Sequence, residues 1–197
     1  MTQILRAALL LFLITLSGAS HAQAIPSGAP SYGLGEGEVP RAELGLSYNY
    51  IHANAPPGQC GCFSLNGGSG TLIYNLRSKW GAVADLSEAH ASNVNGTGQD
   101  ITILNYLFGV RYSKRNSTRF VPYGQFLFGG AKEDVNFQFV INRNAFGFAT
   151  GGGVNTRLSR RFGMTVMQAD WVYTRIPNSK NNRQNDIRIS TGLLYRF

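Results

Sequence analysis

Four side chains, His52, Cys60, Cys62 and His90, could in principle supply the ligands of one zinc ion. They match a structural zinc site in number, but one residue separates Cys60 from Cys62, where metal-binding turns keep two or more. The set is a weak metal candidate. In an exported chain Cys60-Gly-Cys62 suits a loop disulfide, although so short a ring is strained and readily reduced; free thiols are the remaining state. Hydrolytic chemistry would need a serine, a histidine and a carboxylate in mutual reach. Ser87, Glu88 and Ser92 flank His90, yet neighbours along one segment are a thin basis for a triad. The run Asn95-Gly-Thr-Gly-Gln-Asp100 has two glycines of a phosphate loop without its lysine or its helix. No cofactor is implied, and the chain reads as a non-enzyme.

Six charges have a different setting. Glu43, Asp85, Arg111, Asp170, Arg188 and Arg196 occupy one phase of segments whose other phase is apolar. Leu44, Leu46, Tyr48 and Tyr50 alternate with Glu43, Gly45, Ser47 and Asn49. Leu104, Tyr106, Phe108 and Val110 alternate with Asn105, Leu107, Gly109 and Arg111, and Ala169, Trp171 and Tyr173 with Gln168 and Asp170. A period of two is a strand with one oily face. Eight such segments can be traced, at about 41–53, 66–75, 79–90, 101–113, 119–131, 146–157 and 162–175, and a last one ending at Phe197. The links 75–78, 114–118 and 158–161 are tight, whereas others, such as 54–65 and 132–145, run ten residues or more. Alternating short turns and long loops are the rule for outer-membrane barrels.

The predicted fold is therefore all-β: an eight-stranded antiparallel transmembrane β-barrel, an up-and-down meander with both termini periplasmic. Leu104, Tyr106, Phe108 and Val110 should face lipid. A barrel of eight strands is just wide enough to be filled by side chains. Three negative and three positive inward charges then form a paired polar core, since an unpaired one would be costly. Glu43 is expected to meet Arg196, and Asp170 to meet Arg188. The sharper reading of the same six residues is a conduction path.

Both chain ends agree. Arg6, an apolar run from Ala7 to Leu16 and a small-residue stretch to Ala24 make residues 1–24 a signal peptide, cleaved after Ala22 or Ala24. Residues 25–40 are a Gly/Pro-rich lead-in, and 41–197 the barrel. The final strand puts Ile187, Ile189, Leu193, Tyr195 and Phe197 on one face and stops on the aromatic Phe197. This end resembles the terminal signal of outer-membrane barrels, which the barrel-assembly machinery reads; Leu193, Tyr195 and Phe197 would carry it.

Charged residues make up 14% of the chain, against about 25% in soluble domains. The mean hydropathy of −0.11 suits a barrel whose two faces cancel. The formal charge of +8 comes with no nucleic-acid motif. Basic residues crowd the short turns, Arg77, Lys79, Lys114, Arg115, Arg160 and Arg161 among them, and read as solvated or facing anionic lipid heads. Residues 41–197 resemble the eight-stranded barrels grouped with the outer-membrane protein A transmembrane domain and the opacity porins. Gln168-Ala-Asp-Trp-Val-Tyr-Thr-Arg175 and Arg188-Ile-Ser-Thr-Gly192 are similar to uncharacterised barrels of Acidobacteria-type bacteria. The resemblance implies a bacterial outer-membrane protein in contact with outer-membrane lipids and lipopolysaccharide, and a monomer. Its expected role is structural, or binding and adhesion through four outer loops. A narrow porin-like channel is the alternative, and a lipid A-modifying enzyme the remote one.

Overall fold

The computed structural model describes residues 39–54, 61–115, 118–137, 139–177 and 183–197, without the side chains of 137–142. The expected leader, nearly all of the lead-in, and Cys60 lie outside these residues. Eight strands form a closed barrel: β1 (Ala42–Ala53), β2 (Phe63–Asn75), β3 (Trp80–Ala91), β4 (Asp100–Ser113), β5 (Phe120–Phe137), β6 (Phe139–Arg157), β7 (Phe162–Thr174) and β8 (Gln184–Arg196). Each pairs antiparallel with the next, and β8 closes on β1 with Glu43 opposite Arg196 and Ile51 opposite Arg188. The three short links lie at one end, here the turn end; the other is the loop end.

Side-chain parity decides which residues meet inside. Leu46, Phe108, Phe126, Phe128, Ile187 and Leu193 point outward and are exposed, whereas Asn49, Asn105, Leu107, Leu127 and Ser190 point inward and are buried. The outward apolar run extends from Phe120 to Gly130 on β5 and from Ile187 to Phe197 on β8, the length a tilted strand needs to cross a bilayer. Beyond it the outward positions turn polar, with Lys132, Asp134 and Asn185. Aromatic pairs edge the band: Trp80–Tyr112 at 5.1 Å and Tyr195–Phe197 at 4.9 Å toward the turn end, Phe148–Tyr173 at 5.1 Å toward the loop end. Such girdles suit the two membrane interfaces.

Two departures from the sequence reading change what the barrel holds. Residues 132–145 do not form a loop. The ladder of β5 and β6 continues through Lys132–Asn144, Glu133–Arg143 and Asn136–Val140, up to Phe137 opposite Phe139. Val135 points inward there and is buried, so the pair gains an inner face above the apolar band. Strand β2 likewise starts at Phe63, because Phe63 and Leu65 insert into an apolar cluster at the loop end. In β7 a bulge between Thr165 and Gln168 leaves Val166 and Met167 both exposed. The extra residue shifts the alternation by one, from inward Thr165 to inward Gln168 and Asp170.

Candidate functional site

The candidate site is the lumen, which is packed in three tiers. At the turn end Glu43 is buried and accepts hydrogen bonds from Arg196 Nε at 3.3 Å, Arg115 Nη2 at 3.1 Å and Asn75 Nδ2 at 3.1 Å. The sequence predicts Arg115 as a turn residue that is solvated or faces anionic lipid heads. Instead its side chain is only 11% exposed and folds beneath the barrel from the β4–β5 turn to β1 on the far wall. A cavity of about 10 Å³ remains beside Glu43 and Arg196, the room of a single water.

The middle tier turns on Arg188. Fully buried on β8, its Nη1 lies 2.8 Å from Asp85 Oδ1 on β3 and its Nη2 lies 2.8 Å from Asp170 Oδ2 on β7. Ser87 Oγ accepts a further bond from Nη1 at 3.2 Å. Thr71 donates to Asp85 Oδ2 at 2.8 Å, and Gln168 and Gln125 donate to the two oxygens of Asp170 at 2.6 and 3.1 Å. Gly151 lies opposite Asp170; a Cβ there would strike the Ala169 carbonyl and the Asp170 carboxylate itself. Arg111, expected within the charge pairing, makes no salt bridge among the described residues. It donates to Gln125 Oε1 at 2.6 Å and stacks 4.0 Å over the Tyr123 ring, reaching Asp170 only through the glutamine. The tier thus balances Asp85 and Asp170 against Arg188 and Arg111, and it ties opposite walls together.

The loop-end tier divides in two. One half is apolar: Ile51, Phe63, Leu65, Ile101 and Ile103 pack with Val94. A short 3₁₀ turn (Val94–Gly96) drops Val94 into the mouth. Asn93 holds that turn, in the left-handed region with its side chain accepting from the Gly98 N–H at 2.8 Å. The other half is polar. Glu133, Asp186, Gln184 and Thr174 are buried, yet both Glu133 oxygens, Asp186 Oδ1, the Gln184 amide and Thr174 Oγ1 make no hydrogen bond. Among the described residues Arg143 is the cation paired with this group; it stands 3.9 Å from Glu133 Oε2 while donating to the Pro177 carbonyl at 3.0 Å. Both carboxyls lie past the apolar band, and burial pushes each up to about 7. The sequence does not reveal this tier, because Glu133 falls within the link predicted at 132–145. The signal available was the alternation of Glu133 with outward Lys132 and Asp134.

Of the catalytic and zinc candidates, Cys60 lies outside the described residues. His52 and His90 face outward, next to Ser64 Oγ at 3.4 Å and Thr102 Oγ1 at 3.0 Å. Ser87 faces the lumen, on the opposite side of the wall from His90, and Glu88 faces out. Cys62 is exposed. Among the described residues no group of three or more His, Cys, Asp or Glu is placed to hold a metal.

A family model described as outer membrane protein beta-barrel domain matches residues 8–197. Among solved structures the fold is similar to Neisserial surface protein A, at 14% identity, TM-score 0.59, covering 78% of this chain and 97% of that one. It is also similar to Ail, the attachment invasion locus protein of Yersinia pestis, at 17% identity, TM-score 0.53, covering 80% and 99%. OprG of Pseudomonas aeruginosa follows at 13% identity, TM-score 0.50, covering 83% and 99%. No curated protein matches the sequence.

Proposed function

Because the chain belongs to the outer membrane protein beta-barrel domain family and so lies in the lipid of the bacterial outer membrane, we propose that it is a closed, non-enzymatic barrel working through its outer loops. The observation that carries this reading is Arg188, which spans the lumen between Asp85 and Asp170. A conducting pore needs a continuous water path. A guanidinium held by carboxylates from two strands, above a turn end closed by Arg115 and Glu43, is a plug. Catalysis has no support from the outward histidines. Two of the similar structures are named as a surface protein and an attachment protein, which fits a binding or adhesion role.

In this reading residues 1–24 are removed after Ala22 or Ala24, residues 25–40 and the turn end face the periplasm, and the loop end faces the medium. Leu193, Tyr195 and Phe197 serve as the assembly signal to the barrel-assembly machinery. The partners are membrane lipids and lipopolysaccharide, and the barrel acts as a monomer. The test is single-channel recording of the refolded barrel in planar bilayers. No steady conductance is expected; a stable nanosiemens level in the unmutated protein would replace this reading with a porin-like one.

A further inference from the structure

We propose that the polar half of the loop-end tier is a site for a hard divalent cation of the calcium class, held between Glu133 of β5 and Asp186 of β8. Glu133 and Asp186 are 0% and 3% exposed, in a place where carboxylates survive only if something answers their charge. Arg143 does so poorly. Its contact with Glu133 is at the limit of an ion pair, and its side chain is already engaged by the Pro177 carbonyl.

Two further groups point at a ligand. Gln184 is fully buried and directs its amide toward Glu133 without reaching hydrogen-bond geometry. Thr174 is its cross-strand partner, also buried, with a hydroxyl that bonds to nothing. Gln184 and Asp186 sit two residues apart on the inner face of β8, so three strands converge on one spot. The free atoms on offer are the two Glu133 oxygens, Asp186 Oδ1, Gln184 Oε1 and Thr174 Oγ1. No sulfur or imidazole is among them. An all-oxygen set with two carboxylates, one able to bind bidentately, is what calcium takes. Magnesium asks for a stricter octahedron and keeps its waters, which carboxylates as buried as these leave little room for. The binding step would tie β5 to β8 across the lumen and free Arg143 to turn outward. The proposal goes beyond the loop-binding function and does not depend on it.

The test uses the mature protein, folded in a non-ionic maltoside micelle so that no phosphate competes for the cation. Calcium is titrated by calorimetry, and thermal unfolding is followed in EDTA, calcium chloride, magnesium chloride and potassium chloride of equal ionic strength. One saturable calcium site is expected, with a dissociation constant on the order of 10⁻⁴–10⁻³ M and a rise in unfolding midpoint that potassium does not reproduce. Glu133→Gln and Asp186→Asn should each weaken binding tenfold or more. Asp134→Asn, on an outward residue paired with Lys132 at 3.1 Å, should leave it unchanged. Where a carboxamide variant fails to give the heat-shifted folded band on a gel, Thr174→Val combined with Gln184→Leu, which keeps both charges, must show the loss instead. Absence of saturable binding in the wild type, or equal binding in the folded Glu133 and Asp186 variants, overturns the site.

Discussion

The middle of the lumen and its loop end both bury carboxylates, and they meet the cost in opposite ways. In the middle every oxygen of Asp85 and Asp170 has a donor, from Arg188, Thr71, Gln125 or Gln168. At the loop end both oxygens of Glu133 stand free, with one arginine at 3.9 Å. The difference lies in which strands supply donors. The middle draws on β2, β3, β5, β7 and β8, and Arg188 reaches across the lumen from β8 to Asp85 on β3. At the loop end the facing wall is apolar, built from Ile51, Phe63, Leu65 and Ile101; Asp186 takes a backbone hydrogen bond from Asn54 just beyond β1, while both Glu133 oxygens and Asp186 Oδ1 stay without a donor. A closed network locks a barrel; an open one leaves coordination for a partner from outside.

The largest expected effect tests the closed half. Arg188→Leu strands two carboxylates and should destabilise the barrel by about 3–5 kcal/mol, the usual cost of breaking a buried pair. In a double-mutant cycle with Asp170→Leu the two effects should be strongly non-additive. Urea titration of the refolded variants in vesicles gives the numbers. Additive losses would mean that the middle tier is not one network, and the contrast between the halves would dissolve.

Much of the closed half could be read from residue order alone, and the open half could not. Glu43 and Arg196 lie near the ends of strands that must pair for closure, so height and parity bring them together. Asp170 and Arg188 follow from the same counting along adjacent strands. Arg115 was illegible because nothing local says that a turn residue will fold under the barrel to the opposite wall. Asp85 had no assigned partner for a related reason: Arg188 reaches it across the lumen, not along a ladder. Glu133 lies past the predicted end of the fifth strand at 131, and Asp186 precedes Ile187, the first residue placed on the last strand. Polar outward residues such as Lys132 and Asp134 look like loop composition, although beyond a bilayer they are what an exposed strand should carry. The outward apolar face needed no such long-range knowledge.

Both halves depend on the register that turns Phe108 to lipid and Leu107 to the lumen. Phe108→Arg should therefore cost about 2–4 kcal/mol near the bilayer midplane, read from the same urea titrations. A slip of one residue would exchange the two faces along the strand. In that case Phe108→Arg would be nearly neutral, and neither tier would face inward as described.

The smallest effect has the opposite sign and sharpens the comparison most. Burial holds the Glu133 and Asp186 carboxyls up to about 7, above the range they have in an unfolded chain. The native state then binds more protons than the unfolded state between about pH 4 and pH 7. In EDTA the barrel should lose stability as pH rises through that window and level off above it. Glu133→Gln removes one of the two carboxyls. It should match the wild type near pH 4 and exceed it at pH 8 by about 1–2 kcal/mol, since an uncompensated buried charge has been taken away. Calcium at pH 8 should erase that advantage by stabilising only the wild type. Chemical unfolding of both proteins at pH 4 and 8, in EDTA and in calcium, measures all the terms. If Glu133→Gln is destabilising at pH 8 in EDTA, as Arg188→Leu is expected to be, then Glu133 belongs to a closed network after all. The loop end would then be built on the same terms as the middle.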